Sequence, residues 1–135
     1  FFLSRIDSKI DELIDARLAK GVDSINQEAK LMAVKGKVAI ANAKIAYQEY
    51  KKIIADPRWQ ALKEKGANVQ RLLWASTSTK NPNYSDVMYV DELIGADTVN
   101  TLPPATIEAC ADHCDVAPRV ESNVDEAYTL IESLN

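Results

Sequence analysis

VQRLLWASTSTKNP, residues 69–82, joins an unbroken apolar run directly to an unbroken polar one. Gln70 and Arg71 lead into Leu72, Leu73, Trp74 and Ala75, a run too continuously apolar for a strand wetted on one side, and Ser76, Thr77, Ser78, Thr79, Lys80 and Asn81 follow without a spacer. A strand buried on both faces reads this way, usually in a parallel sheet covered by helices. Parallel α/β folds bind ligands beyond the carboxyl ends of their strands, so residues 76–81 are where function is to be sought. The plain alternative is a polar loop leaving a core strand.

Residues 1–4 form a second apolar run, ended by Arg5. Asp7 or Ser8 offers a cap for a helix carrying Ile10, Leu13, Ile14 and Leu18 at helical spacing, with Gly21 to stop it. Residues 26–54 keep apolar positions every three or four residues, from Leu31 and Val34 to Tyr47 and Tyr50, which predicts one long helix running through Gly36 and packed on the sheet. A membrane-surface or coiled-coil stripe is the sharper alternative for this segment. Asp56 and Pro57 open a short helix through Trp59, Leu62 and Lys65, and Gly66 closes it.

Beyond Pro82, residues 85–94 predict a short helix with Val87, Val90, Leu93 and Ile94 inward and Gly95 at its end. Residues 98–102 predict a third strand, finishing in polar Asn100 and Thr101, before Pro103 and Pro104 open a helix to Cys114. Pro118 marks a turn. Ser122 or Asn123 then caps a last helix with Val124, Ala127, Tyr128, Ile131 and Leu134 on one face. Strand then helix, three times over, implies parallel strands joined by right-handed crossovers. Three such strands cannot close a barrel, and an open sheet exposes unpaired edges. The chain is therefore expected to be part of a larger α/β structure, or to pair with another chain that completes the sheet. A start on Phe1, without an initiator methionine and already within a strand-like run, points the same way.

Composition narrows the classes. With 47% hydrophobic and 27% charged residues in 135, the chain is ordinary for a soluble globular protein of one domain. Its net charge of -4 gives no general attraction to nucleic acid or to acidic lipid, so neither is an expected partner, and an anionic substrate would need a local cluster of cations. No run approaches the roughly 18 apolar residues of a membrane span, and 1–3 is too short for a signal-peptide core. The two cysteines, Cys110 and Cys114, lie one helical turn apart and read as reduced thiols in a cytoplasmic protein.

Arg5 and Lys80 end two strands that would point at one mouth, with the hydroxyls of Ser76 and Ser78 close by. That set suits a phosphate: arginine gives a planar fork of donors, lysine a compact charge, and serines complete the oxygen contacts. An Arg5 paired with Asp7 and a solvated Lys80 would account for the same residues. Lys80 would act as a Schiff-base nucleophile only if burial lowered its pKa. Cys110, His113 and Cys114 share a helix face that could present two thiols and an imidazole to a metal, but no fourth ligand is evident, and a helix with inward-packed thiols and its histidine near the carboxyl-terminal end is the preferred reading. Trp59 and Trp74 read as core aromatics rather than stacking platforms. Glycine-rich phosphate loops, zinc His-Glu motifs and serine nucleophile elbows are all missing from the sequence.

FFLSRID at 1–7, GKVAIANAKIAYQEY at 36–50, RLLWASTSTKNPNYSD at 71–86 and YVDELIGADTVNTLP at 89–103 closely resemble the carboxyl-terminal part of transaldolases. The resemblance is strongest to the bacterial form also found as one half of a bifunctional transaldolase/glucose-6-phosphate isomerase. It covers nearly the whole chain and is most specific over 73–103. It implies a (β/α)8 barrel of which residues 1–135 are the carboxyl-terminal part, with strands six, seven and eight at 1–5, 69–75 and 98–102. It also implies transfer of a dihydroxyacetone unit from a ketose phosphate to an aldose phosphate through a lysine Schiff base, without metal or organic cofactor.

By the same resemblance Arg5 matches the family's phosphate-binding arginine at the end of strand six. Lys80 stands where many transaldolases carry a second phosphate-binding arginine, with Ser78 two residues before it; lysine keeps the charge and loses the fork. The family's Schiff-base lysine, its proton-handling carboxylate and threonine, and a further aspartate come from strands one to five, so no catalytic residue is expected within this chain. The expected partners are a sugar phosphate, the polypeptide that supplies the remaining strands and, as an alternative, further copies of the chain in a homo-oligomer. A related aldolase, or a non-catalytic half-barrel that self-associates, are the competing functions.

Overall fold

A computed structural model describes residues 1–134. Its elements run α1 (Ser4–Ala19), α2 (Ile25–Val34), α3 (Val38–Ala55), α4 (Pro57–Glu64), β1 (Leu72–Trp74), α5 (Met88–Glu92), β2 (Thr98–Asn100), α6 (Pro104–His113) and α7 (Val124–Glu132). The result is a helix-rich α/β chain around a small parallel sheet. β1 and β2 pair in parallel with Leu72 opposite Thr98, Leu73 opposite Val99 and Trp74 opposite Asn100. The opening residues add a third, shorter parallel rung: Phe2 bridges Ala75, and the Ala75 N–H donates to the Phe1 carbonyl at 2.8 Å.

Side chains alternate across a strand, so the sheet has two unlike faces. Leu3 and Trp74 point to the helical side and are sealed there with Ala39, Ala43 and Tyr47 of α3 and with Tyr89, Leu93 and Val120. The Trp74 indole N–H donates to the Leu93 carbonyl at 3.1 Å, which satisfies the one polar atom that ring buries. Phe2 and Leu73 lie on the other face, and they are 52% and 41% exposed. The expectation that the apolar run of β1 is buried on both faces is corrected accordingly: among the described residues no element covers that second side.

Three further corrections concern α1 to α3. The first helix starts at Ser4, three residues before the expected cap, with no side-chain cap of its own. Asp7 is instead turned inward, where it accepts the Ala39 N–H at 2.8 Å and so caps the first turn of α3 from a neighbouring helix. The long helix expected over 26–54 is two helices: at Gly36 the backbone turns to φ +69°, a left-handed conformation that a helix cannot contain. A β-carbon there would also meet the Tyr84 ring at 2.6 Å, so the break is set by packing as well as by backbone freedom.

The expected helix over 85–94 contracts to α5, although Val87 and Leu93 on either side of it are buried as expected. Asn123 does occupy the cap position of α7, but through a left-handed φ of 57° and without a side-chain hydrogen bond. The stop signals at Gly21 and Gly66 and the Asp56 cap on α4, whose carboxylate accepts the Arg58 N–H at 2.8 Å, stand where the sequence puts them. None of the described helices is long and apolar enough to cross a membrane.

Candidate functional site

The hydrogen-bond ladder between the opening residues and β1 runs on past the strand. The Leu3 N–H donates to the Ala75 carbonyl and the Ser4 N–H to the Ser76 carbonyl, each at 3.0 Å. Ser76 then takes a left-handed φ of 55°, which turns the chain out of the sheet at its carboxyl-terminal rim. Arg5 and the stretch from Ser76 onward thus leave the sheet from the same end. The Arg5 guanidinium lies 5.1 Å from the centroid of the Phe2 ring, over the open face.

Below the rim the ends of β1 and β2 are stitched together. The fully buried Thr77 hydroxyl is 2.7 Å from Asn100 Oδ1, and the Thr101 hydroxyl donates to the Trp74 carbonyl at 3.1 Å. From there residues 78–86 form a closed loop. Thr79 donates to the Ser85 carbonyl at 2.7 Å, Asn83 N–H to Asn81 Oδ1 at 2.9 Å and Tyr84 N–H to the Asn81 carbonyl at 3.1 Å. At the tip Lys80 Nζ donates to Ser78 Oγ at 2.9 Å.

Among the described residues neither Arg5 nor Lys80 forms an ion pair, so the pairing of Arg5 with Asp7 considered from the sequence does not occur. A lysine ammonium has three donors, and the contact with Ser78 uses one of them.

Lys80 also lines a cleft of about 410 Å³ with Asn81, Tyr84 and Tyr89, whose other wall is the Asp7, Ser8, Asp11, Glu12 and Asp15 face of α1. Two carboxylates in it are buried and fully engaged. Asp7 takes the Tyr89 hydroxyl at 2.6 Å besides the Ala39 amide, and Asp11 takes the Tyr84 hydroxyl at 2.7 Å besides the Gly36 amide at 3.1 Å. Burial pushes the Asp7 carboxyl above its usual value, against the lowering pull of the Tyr89 and Ala39 hydrogen bonds. Burial, and then the hydrogen bonds to Asp11 and Asp7, push both tyrosines above the ordinary phenol range, so each hydroxyl remains a donor.

The residues singled out from the sequence are therefore only partly gathered. Ser78 and Lys80 touch. Arg5 joins Ser76 through the backbone at Ser4, and it does not line the cleft that Lys80 lines. Taken singly, Asp11, Tyr84 and Tyr89 carry no mark of a site in the sequence, and Asp7, expected as a helix cap, belongs with them. The signal available was Asp7, Asp11 and Asp15 at four-residue spacing on one helix face. Their tyrosine partners stand 82 and 73 positions away and carry no local mark.

At the other candidate, His113 is held between Asp86 at 2.8 Å and Asp112 at 3.1 Å, and these contacts raise its pKa. The Cys114 thiol is pushed up to about 12, by burial first and then by its contacts with Cys110 and Asp91. Both thiols are free, and among the described residues no group of three or more His, Cys, Asp or Glu side chains is arranged to hold a metal ion.

A small parallel sheet packed on helices defines a helix-rich α/β protein. More narrowly, the chain belongs to the transaldolase/fructose-6-phosphate aldolase family: the family model described as Transaldolase/Fructose-6-phosphate aldolase matches residues 1–135. It is 81% identical over 134 residues to Transaldolase 2 of Nostoc sp., covering 99% of this chain and 35% of that protein. It is 75% identical to Transaldolase 2 of Nostoc punctiforme and 72% to Transaldolase of Trichodesmium erythraeum, with the same coverage of 99% and 35% in each case. The chain thus spans about a third of the length of these relatives.

Proposed function

We propose that residues 1–135 supply strands six to eight, with their helices, to a (β/α)8 barrel, and that the whole protein is a cytoplasmic transaldolase. In this reading it moves a dihydroxyacetone unit between sugar phosphates through a Schiff base on a lysine outside this chain, as in the pentose phosphate pathway. Arg5, Lys80, Ser78 and Ser76 hold the phosphate. The observation that carries the reading is the parallel ladder from the opening residues to β1, which sets Arg5 and the 76–80 stretch at one end of the sheet. Neither cation is spent on a carboxylate among the described residues, which leaves both charges for an anion.

The division of labour follows from donor geometry. Arg5 presents a fork able to take two phosphate oxygens, and Lys80, steadied by Ser78, presents a point charge to a third. Covalent chemistry is left to a lysine outside this chain, and Lys80, exposed at a loop tip beside Ser78, keeps to binding. The test is turnover of fructose 6-phosphate with erythrose 4-phosphate by the full-length protein and by this chain alone. Turnover by the full-length protein only is expected; comparable turnover by the isolated chain would overturn the assignment.

Two observations favour other readings. Phe2 and Leu73 are exposed on a sheet face that suits a non-catalytic half-barrel pairing with itself. A stable assembly of this chain, without activity on completion of the barrel, would select it. The family description also names fructose-6-phosphate aldolase, and release of free dihydroxyacetone in place of transfer would select that reaction.

A further inference from the structure

Lys80 sits at the tip of a loop whose hydrogen bonds nearest that tip close the loop on itself. The clasp from Thr79 to Ser85, the turn from Asn81 to Tyr84 and the Lys80 contact to Ser78 are all internal to residues 78–86. Two side chains of this loop reach across: Asp86, at its end, pairs with His113 of α6 at 2.8 Å, and Tyr84, which lines the same cleft as Lys80, reaches α1. Its hydroxyl donates to Asp11 of α1 at 2.7 Å, and its ring fills the space where Gly36 lacks a β-carbon.

Asp11 also accepts the Gly36 N–H at 3.1 Å, so one carboxylate, one backbone amide and one phenol fix α1, the α2–α3 break and the loop to each other. Tyr84 and Lys80 line the same cleft. A phenol is a suitable anchor here, because it stays protonated at any physiological pH and its ring leaves only one torsion to order beyond χ1.

We propose that Tyr84 is the positioning residue for the phosphate contact of Lys80, acting through the 78–86 loop. The inference rests on the reading that Lys80 binds the substrate phosphate. Removing the tyrosine hydroxyl frees the loop from Asp11 and lets the ammonium sample positions away from the sugar phosphate. Binding then weakens through lost preorganisation while the reacting atoms are untouched.

The experiment is a double-mutant cycle in the full-length enzyme, reading KM for fructose 6-phosphate and kcat. Tyr84→Phe is expected to raise KM about fivefold, equivalent to roughly 1 kcal/mol, with kcat changed by less than about twofold. In the Lys80→Ala background the same substitution is expected to add nothing, because the group it positions is gone. Asp11→Asn keeps the tyrosine and replaces its anionic acceptor, and is expected to raise KM in the same direction by less; it also serves if Tyr84→Phe folds poorly.

A Lys80→Ala effect without any from Tyr84→Phe or Asp11→Asn would overturn the inference and leave the phosphate reading standing. So would an equal Tyr84→Phe effect in both backgrounds, since a purely structural role does not depend on Lys80. A Lys80→Ala enzyme with unchanged KM would remove both.

Discussion

The Tyr89 hydroxyl donates to the Asp7 carboxylate at 2.6 Å, tying the first turn of α1 to α5 across 82 positions of sequence. The same carboxylate takes the Ala39 N–H, so a buried acid serves as the external cap of a helix that has no side-chain cap of its own. Two donors depend on it. Asp7→Ala is expected to lower the unfolding free energy by roughly 2–4 kcal/mol, because both are left buried and unpaired, and urea titration of wild type and variant measures it. Asp7→Asn should recover part of the loss.

The pH dependence of that pair has a definite sign. Burial raises the Asp7 carboxyl above its ordinary value of 3.8, so the folded state holds the proton more tightly than the unfolded chain does. Its contribution is complete below the unfolded pKa and is lost as pH rises through the folded one. Wild type and Asp7→Asn are therefore expected to differ more in stability at pH about 4 than at pH about 7. A gap that widens toward neutrality would contradict it.

Gly95 offers a purely steric test, because its φ lies outside the left-handed region. A β-carbon there would meet Val120 Cγ1 at 2.2 Å, and Val120 is only 1% exposed. Gly95→Ala is expected to cost about 1–3 kcal/mol through overpacking. Combined with Val120→Ala, the loss should be smaller than the sum of the two single losses, since each relieves the other.

His113 bridges α6 to the end of the Lys80 loop through Asp86. The hydrogen bond to Asp86, followed by that to Asp112, raises its pKa above 6.5. A raised histidine contributes while protonated: the contribution is full below the unfolded pKa and disappears as pH climbs through the folded one. Thermal melts of wild type and His113→Gln should separate below pH about 6 and converge on the alkaline side.

Lys80→Arg should tighten substrate binding if a phosphate is the ligand, because a fork can replace one point contact with two parallel hydrogen bonds. A fall in KM of severalfold for fructose 6-phosphate in the full-length enzyme is the expected outcome. Arg5→Lys, which removes the fork on the other side, should raise it.

Much of the architecture was legible locally. Gly21, Gly66 and the Asp56-Pro57 pair announce helix ends because glycine frees φ, and an acid before proline satisfies the first amides. The apolar run at 72–75 and the polar residues after it announced a strand and its rim for the same kind of reason: each depends on neighbours in sequence. Gly36 shows the limit. Its cost within a helix is small enough to be overridden by periodicity, and the tyrosine ring that packs against its backbone lies 48 residues later, invisible to any window.

From its sequence alone this protein had a parallel strand–helix order, polar residues following its apolar runs and a family likeness, since alternation, caps and motif spacing act over a few residues. Only the folded chain decided that Asp7 and Asp11 face inward and that Tyr84 ties the Lys80 loop to α1. It also decided that Phe2 and Leu73 stay uncovered among the described residues. Burial and hydrogen-bond pairing are set by which distant segments meet, and that depends on the packing of the whole chain.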